Sequence, residues 1–96
     1  MKPSDTLRDH RTAVLAIAAG MGAENVRVFG SVLRRQDTER SDIDLLVDVP
    51  RGTTLMDMAR LQAALEKELG MAVDVVTAGD LPEKFRHQVL QEALPL

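Results

Sequence analysis

With 96 residues, 45% of them hydrophobic and 28% charged, the chain is sized for one compact domain over residues 1–96, leaving no room for a separate substrate-binding domain. Its 15 acidic against 12 basic side chains give a formal charge of −3, which offers no broad cationic surface for phosphate backbones, so direct nucleic-acid binding is not expected. The lack of cysteine excludes disulfide scaffolds, thiolate metal sites and thiol nucleophiles and suits a reducing cytoplasm, while two Phe without Trp or Tyr provide no stacking platform for single strands.

From Asp5 to about Met21 the residues Leu7, Val14, Ile17 and Met21 fall at helical spacing, with Ser4 as N-cap and Gly20 and Gly22 near the end. The Ala/Gly-rich part of this helix, Ala13 to Ala23, is well short of the roughly 18 apolar residues of a membrane span, and no membrane association is expected. His10 lies on the helix border with no spaced partner for metal binding, which suits a single hydrogen bond. Asn25 to Phe29 alternates as a strand and ends at Gly30-Ser31. After a polar stretch from Arg34 to Ser41, a second strand runs from Asp42 to Val49, closed by Val49-Pro50-Arg51-Gly52 as a type I turn with Pro second and Gly fourth. Thr54 and Asp57 form a capping box for a helix to Leu69 with Leu55, Met58, Leu61, Leu65 and Leu69 on one stripe, and Gly70 is its left-handed C-terminal cap. A third strand spans about Ala72 to Val76, and Asp80 with Glu83 starts a last helix carrying Leu81, Phe85 and Val89. The order is αβαβαβα, the second helix being very short.

The chemistry lies in the second strand. Its period of two puts Asp42, Asp44 and Asp48 on one face and Ile43, Leu45, Val47 and Val49 on the other. The Cα atoms of Asp42 and Asp44 are then ~6.5–7 Å apart, close enough for their carboxylates to converge on hard cations. Taken alone, the pattern is better described as a strand with a wet face. Gly30-Ser31, separated from Asp42 by the ten residues 32–41, adds a turn whose glycine admits close backbone approach and whose serine hydroxyl and following amides can donate to phosphate. Asp74, flanked by Val73 and Val75, needs a cation, hydrogen bonds or solvent to compensate its charge.

Gly30-Ser31, ten intervening residues, Asp42-Ile-Asp44-Leu-Leu-Val and the strand-borne Asp74 together resemble the minimal nucleotidyltransferases of the DNA polymerase β-like superfamily. The leading helix, the Val-Arg-Val-Phe and Val-Asp-Val-Val strands and the ending Val89 to Leu96 extend the resemblance to the stand-alone antitoxin branch, whose members are commonly paired with a helical HEPN-domain toxin. The resemblance implies an α+β fold, with a small mixed β-sheet of three or more strands packed by helices. It also implies Mg²⁺-dependent transfer of AMP from ATP to the toxin, silencing it. By the same resemblance Asp42 and Asp44 hold two Mg²⁺ ions, Asp74 is the third acidic residue that helps to hold metal and to activate the attacking hydroxyl, Gly30 and Ser31 bind phosphate, and Arg34 touches the triphosphate. Where this chain has Arg35, the family often has glycine.

Three functions stay open at this point. They are a protein-modifying nucleotidyltransferase, a small-molecule nucleotidyltransferase, and an antitoxin that acts by binding alone. The short chain favours an acceptor that brings its own binding surface, and three placed carboxylates favour chemistry over binding.

Overall fold

Alternating valines build the centre of the sheet. In this computed structural model, which describes residues 1–96, Glu24–Phe29 forms β1 and Ile43–Asp48 forms β2. The two are antiparallel, and Val73–Val76 (β3) lies parallel to β2 on its other side. Leu94–Pro95 adds a short antiparallel β4 to β1, giving the mixed order β3-β2-β1-β4. Ile43, Leu45 and Val47 of β2, Val26 and Val28 of β1, and Val73 and Val75 of β3 are all buried in the main core. That core lies between the sheet and the helices α1 (Pro3–Asp9), α2 (Arg11–Gly20) and α4 (Leu55–Leu69). The four-residue α3 (Gly30–Leu33) follows β1 directly. A 3₁₀ turn (Ala78–Asp80) and α5 (Glu83–Glu92) lead from β3 to β4.

The expected α+β class with a mixed sheet is present. Local details depart from the sequence expectation for identifiable reasons. The single leading helix divides at His10, whose φ of −107° and ψ of 14° leave the helical region. His10 Nδ1 lies 2.7 Å from Glu68 Oε2 on α4, so the one hydrogen bond expected of this histidine sits at the break. Ser4 is not the N-cap. Lys2 holds that position without a side-chain bond, and the Ser4 amide, inside the first turn, donates to Asp37 Oδ2 at 3.0 Å. A carboxylate 33 residues away thus replaces the local cap.

The capping box of Thr54 and Asp57 forms in both directions, and Gly70 ends α4 at φ +68°. The apolar stripe of α4 is buried only from Leu61 onward, and Leu55, at 88% exposed, faces solvent at the first turn. The turn after β2 is set one residue later than expected. The Thr53 amide bonds to the Pro50 carbonyl at 3.1 Å, so Pro50 is first and Gly52 third, with the positive φ of 93° that a type II turn requires there. Asp80 belongs to the 3₁₀ turn, where its carboxylate accepts from the Thr77 amide, and α5 starts after Pro82. Of Leu81, Phe85 and Val89, only Leu81 is buried. Phe85 is half exposed, and α5 contributes no buried residue. No helix is long and apolar enough to cross a membrane.

Candidate active site

Strand register aligns the chemistry. Phe29 at the end of β1 pairs with Asp44, and Asp44 pairs with Asp74 on β3, so all three side chains form one row across the sheet face opposite the main core. Asp42 stands just before β2, on the same side by the strand period. The next row on this face pairs Arg27 with Leu46 and Leu46 with Val76. Leu46 is fully buried, so the face is not uniformly wet as the alternation of Asp42, Asp44 and Asp48 had suggested. Asp48 is engaged elsewhere: Arg27 donates to it at 2.7 Å and Asn25 at 3.0 Å.

Gly30 joins the glycine turn to the carboxylate row. Its φ of +75° is left-handed, and a Cβ added there would collide with Asp44 Oδ2 and come within 3.2 Å of its Cγ. Two independent requirements therefore select glycine, since the backbone angle disfavours an L side chain and the space is already occupied by Asp44. Ser31, half-buried, is the second residue of α3, and Phe29 at the N-cap offers no side-chain capping bond to the first amides of that helix.

Asp44 is half-buried at the centre of the row, whereas Asp42 and Asp74 are exposed. Burial pushes the Asp44 pKa up to about 6, with further increments from the charges of Asp74 and then Asp42. The compensation that Asp74 needs among its valines comes from solvent, because β3 is an edge strand. Asp44 and Asp74 stand in the row and Asp42 two residues before Asp44 along the chain, and no group of three His, Cys, Asp or Glu side chains stands at metal-ligating separations. The donor set is all oxygen, which fits a hard divalent cation, and Gly30 brings its backbone directly against the Asp44 carboxylate.

Arg34 caps the C-terminal end of α3, and its Nη2 bonds to Glu92 Oε2 at 3.0 Å. No local signal along the chain points to this partner, which is 58 residues away on α5. Arg35, where the family often has glycine, adopts a left-handed φ of +56°. A concavity of about 960 Å³ lies away from the row, between α1, α3 and β4, and includes Arg8, Arg11 and Arg35 in its lining.

Residues 20–96 match the family described as polymerase beta, nucleotidyltransferase. The chain is 36% identical over 73 residues to the protein adenylyltransferase MntA of Thermococcus cleftensis, an alignment that covers 76% of this chain and 74% of that protein. A solved structure described as “Structure of putative minimal nucleotidyltransferase” superposes with a TM-score of 0.85 at 53% identity, covering 97% of this chain and 95% of its own. The same fold occurs at 19% identity and a TM-score of 0.76 in a crystal structure of a toxin-antitoxin with AMP-PNP, covering 88% of this chain and 69% of that one.

Proposed function

The chain belongs to the polymerase beta nucleotidyltransferase family, and from that premise we propose that residues 1–96 act in the cytoplasm as a single-domain protein adenylyltransferase. Its substrate is ATP, and its acceptor is a hydroxyl side chain of a HEPN-domain toxin, which the added AMP silences. The observation that carries this reading is the packing of Gly30 against Asp44 in the row that also holds Asp74. That contact sets the backbone of the Gly30 turn directly beside a carboxylate of the row.

Asp42 and Asp44 are the residues that would hold Mg²⁺, with Asp74 adjoining. The ion supplies charge neutralisation for the phosphates when bound. The turn at Gly30 and Ser31 grips the triphosphate through backbone amides and the serine hydroxyl, and Arg34 adds a cationic fork. The acceptor oxygen attacks the α-phosphorus, the bond from that phosphorus to the pyrophosphate oxygen breaks, and pyrophosphate leaves with the electron pair. The hydroxyl proton passes to Asp74, whose exposed carboxylate returns it to solvent. An AMP ester adds negative charge and bulk to the toxin surface, which repels an anionic RNA.

Intact mass of a HEPN-domain toxin co-expressed with this chain tests the proposal. The expected result is a toxin heavier by one or more AMP units with wild type and unmodified with Asp42→Asn/Asp44→Asn. Neutralisation by the double variant equal to wild type, with no added mass in either case, supports an antitoxin that acts by binding alone. A label from ATP found only in small molecules supports the small-molecule enzyme.

A further inference from the structure

The Arg34–Glu92 pair joins two parts of the chain that the sheet brings together. Arg34 ends the helix that begins at Gly30, so at about 1.5 Å per residue its Cα is only ~6 Å along the axis from the glycine turn. Glu92 ends α5, and the following residues pair with β1 in the register Val28↔Leu94 and Arg27↔Pro95. That pairing places the end of α5 beside the end of β1, where α3 begins. The Leu96 amide, bonded to the Val26 carbonyl at 2.9 Å, fixes the same register from its other end. Gln88 Nε2 donates to the other oxygen of Glu92 at 3.2 Å, so both carboxylate oxygens are engaged, one within α5 and one by Arg34.

A carboxylate and a phosphate oxygen make the same demand on a guanidinium, namely a planar, charge-assisted contact. We infer that Glu92 is a built-in competitor for the triphosphate: its carboxylate holds the Arg34 fork, and nucleotide must displace it before Arg34 can bind phosphate. This rests on the nucleotide reading of the Gly30 turn given above. Glu92 is thereby a positioning residue that tunes nucleotide affinity through Arg34, with no contact to the reacting atoms. Any event that draws the end of α5 away from α3 would raise affinity at the same site.

The test is calorimetric titration of the full chain with the non-hydrolysable analogue AMPCPP and Mg²⁺. Four proteins are compared, namely wild type, Glu92→Gln, Arg34→Ala and the double variant. Glu92→Gln keeps a hydrogen-bonding amide and removes the charge, so it should bind about two- to fivefold tighter, the range that releasing an exposed ion pair allows. In the Arg34→Ala background the same change should have no effect. Thermal melting of each variant without nucleotide separates a folding defect from a binding effect. Unchanged or weaker binding by Glu92→Gln, while wild type binds the analogue, overturns the competitor role and leaves the nucleotide reading standing. A gain that persists without Arg34 also overturns it, since plain charge repulsion between Glu92 and phosphate then accounts for the effect. Binding by none of the four proteins overturns both readings together.

Discussion

Asp44 carries its charge at a cost, and the cost has a pH signature. Its folded-state pKa of about 6 lies above the ordinary 3.8, because burial, then Asp74, then Asp42, disfavour the carboxylate. The folded protein therefore takes up the Asp44 proton more readily than the unfolded chain. The associated stability is fully present below pH 3.8 and is lost as pH rises through about 6. Without divalent cation, Asp44→Asn should melt with wild type near pH 4 and above it at pH 7 to 8. The half-exposed position limits the gain to about 1 kcal/mol. Melting curves in a chelator across that range check it, and a gap that does not widen with pH would show that the row is not electrostatically coupled. Glycine substitution and its reverse separate the two left-handed positions of the site. Gly30→Ala adds strain and drives a methyl group into the Asp44 carboxylate. It should lose nucleotide transfer and about 1–2 kcal/mol of stability. Arg35→Gly relieves a φ of +56° and should gain about 0.5–1 kcal/mol by chemical denaturation, after allowing for the extra freedom of glycine in the unfolded chain. The residue types and spacing of this site are plain in the sequence. The unequal burial of Asp44 and Asp74 is not, because it depends on which strand ends up central and which at the edge.

At the scale of elements, the start of α1 shows why some boundaries are legible and others are not. The α4 boundaries are written locally: Thr54 and Asp57 are three residues apart, and Gly70 is adjacent to the last turn, so reading along the chain suffices. The α1 cap is supplied by Asp37, and nothing within a helix-length window of Ser4 reveals it. Likewise the break at His10 is invisible in the apolar stripe, which continues through it; the partner that meets His10 there, Glu68, is on another helix. The two-residue β4 is too short to show alternation and contains proline, and only its pairing with β1 defines it. Asp37 is buried, and the Ser4 amide, as the leading influence, holds its pKa below the ordinary carboxylate value. That lowered pKa contributes stability above pH 3.8, which is lost as pH falls through the folded-state value, the opposite sign to Asp44. Asp37→Ala should cost about 1–2 kcal/mol at neutral pH, by loss of a cap and the orphaning of the Ser4 amide. Denaturation at pH 7 measures it. Hydrogen exchange should locate the loosening in α1, and protection of the α1 amides equal to wild type would contradict the capping role.

For the whole molecule, the site is assembled from segments far apart in the chain. The turn after β1, the start of β2, the middle of β3 and the end of α5 meet only because the sheet orders them β3-β2-β1-β4. A ligand that touches several of these segments binds the folded state alone, and it adds about RT ln(1 + [L]/Kd) to stability, ~2.7 kcal/mol at a hundredfold excess over Kd. Mg²⁺ by itself would meet carboxylates aligned along a row, and a triphosphate by itself would set its charge beside that acidic row. Each therefore removes the main obstacle to the other, and their stabilisation should be more than additive. The measurement is the melting temperature with saturating Mg²⁺, with AMPCPP, and with both, set against the same series for Asp44→Asn. Wild type should show a shift with both ligands larger than the sum of the separate shifts, and the variant should lose that excess while keeping its own baseline stability. Strictly additive shifts in wild type would mean that the glycine turn and the carboxylate row bind independently, and the site as assembled here would be wrong.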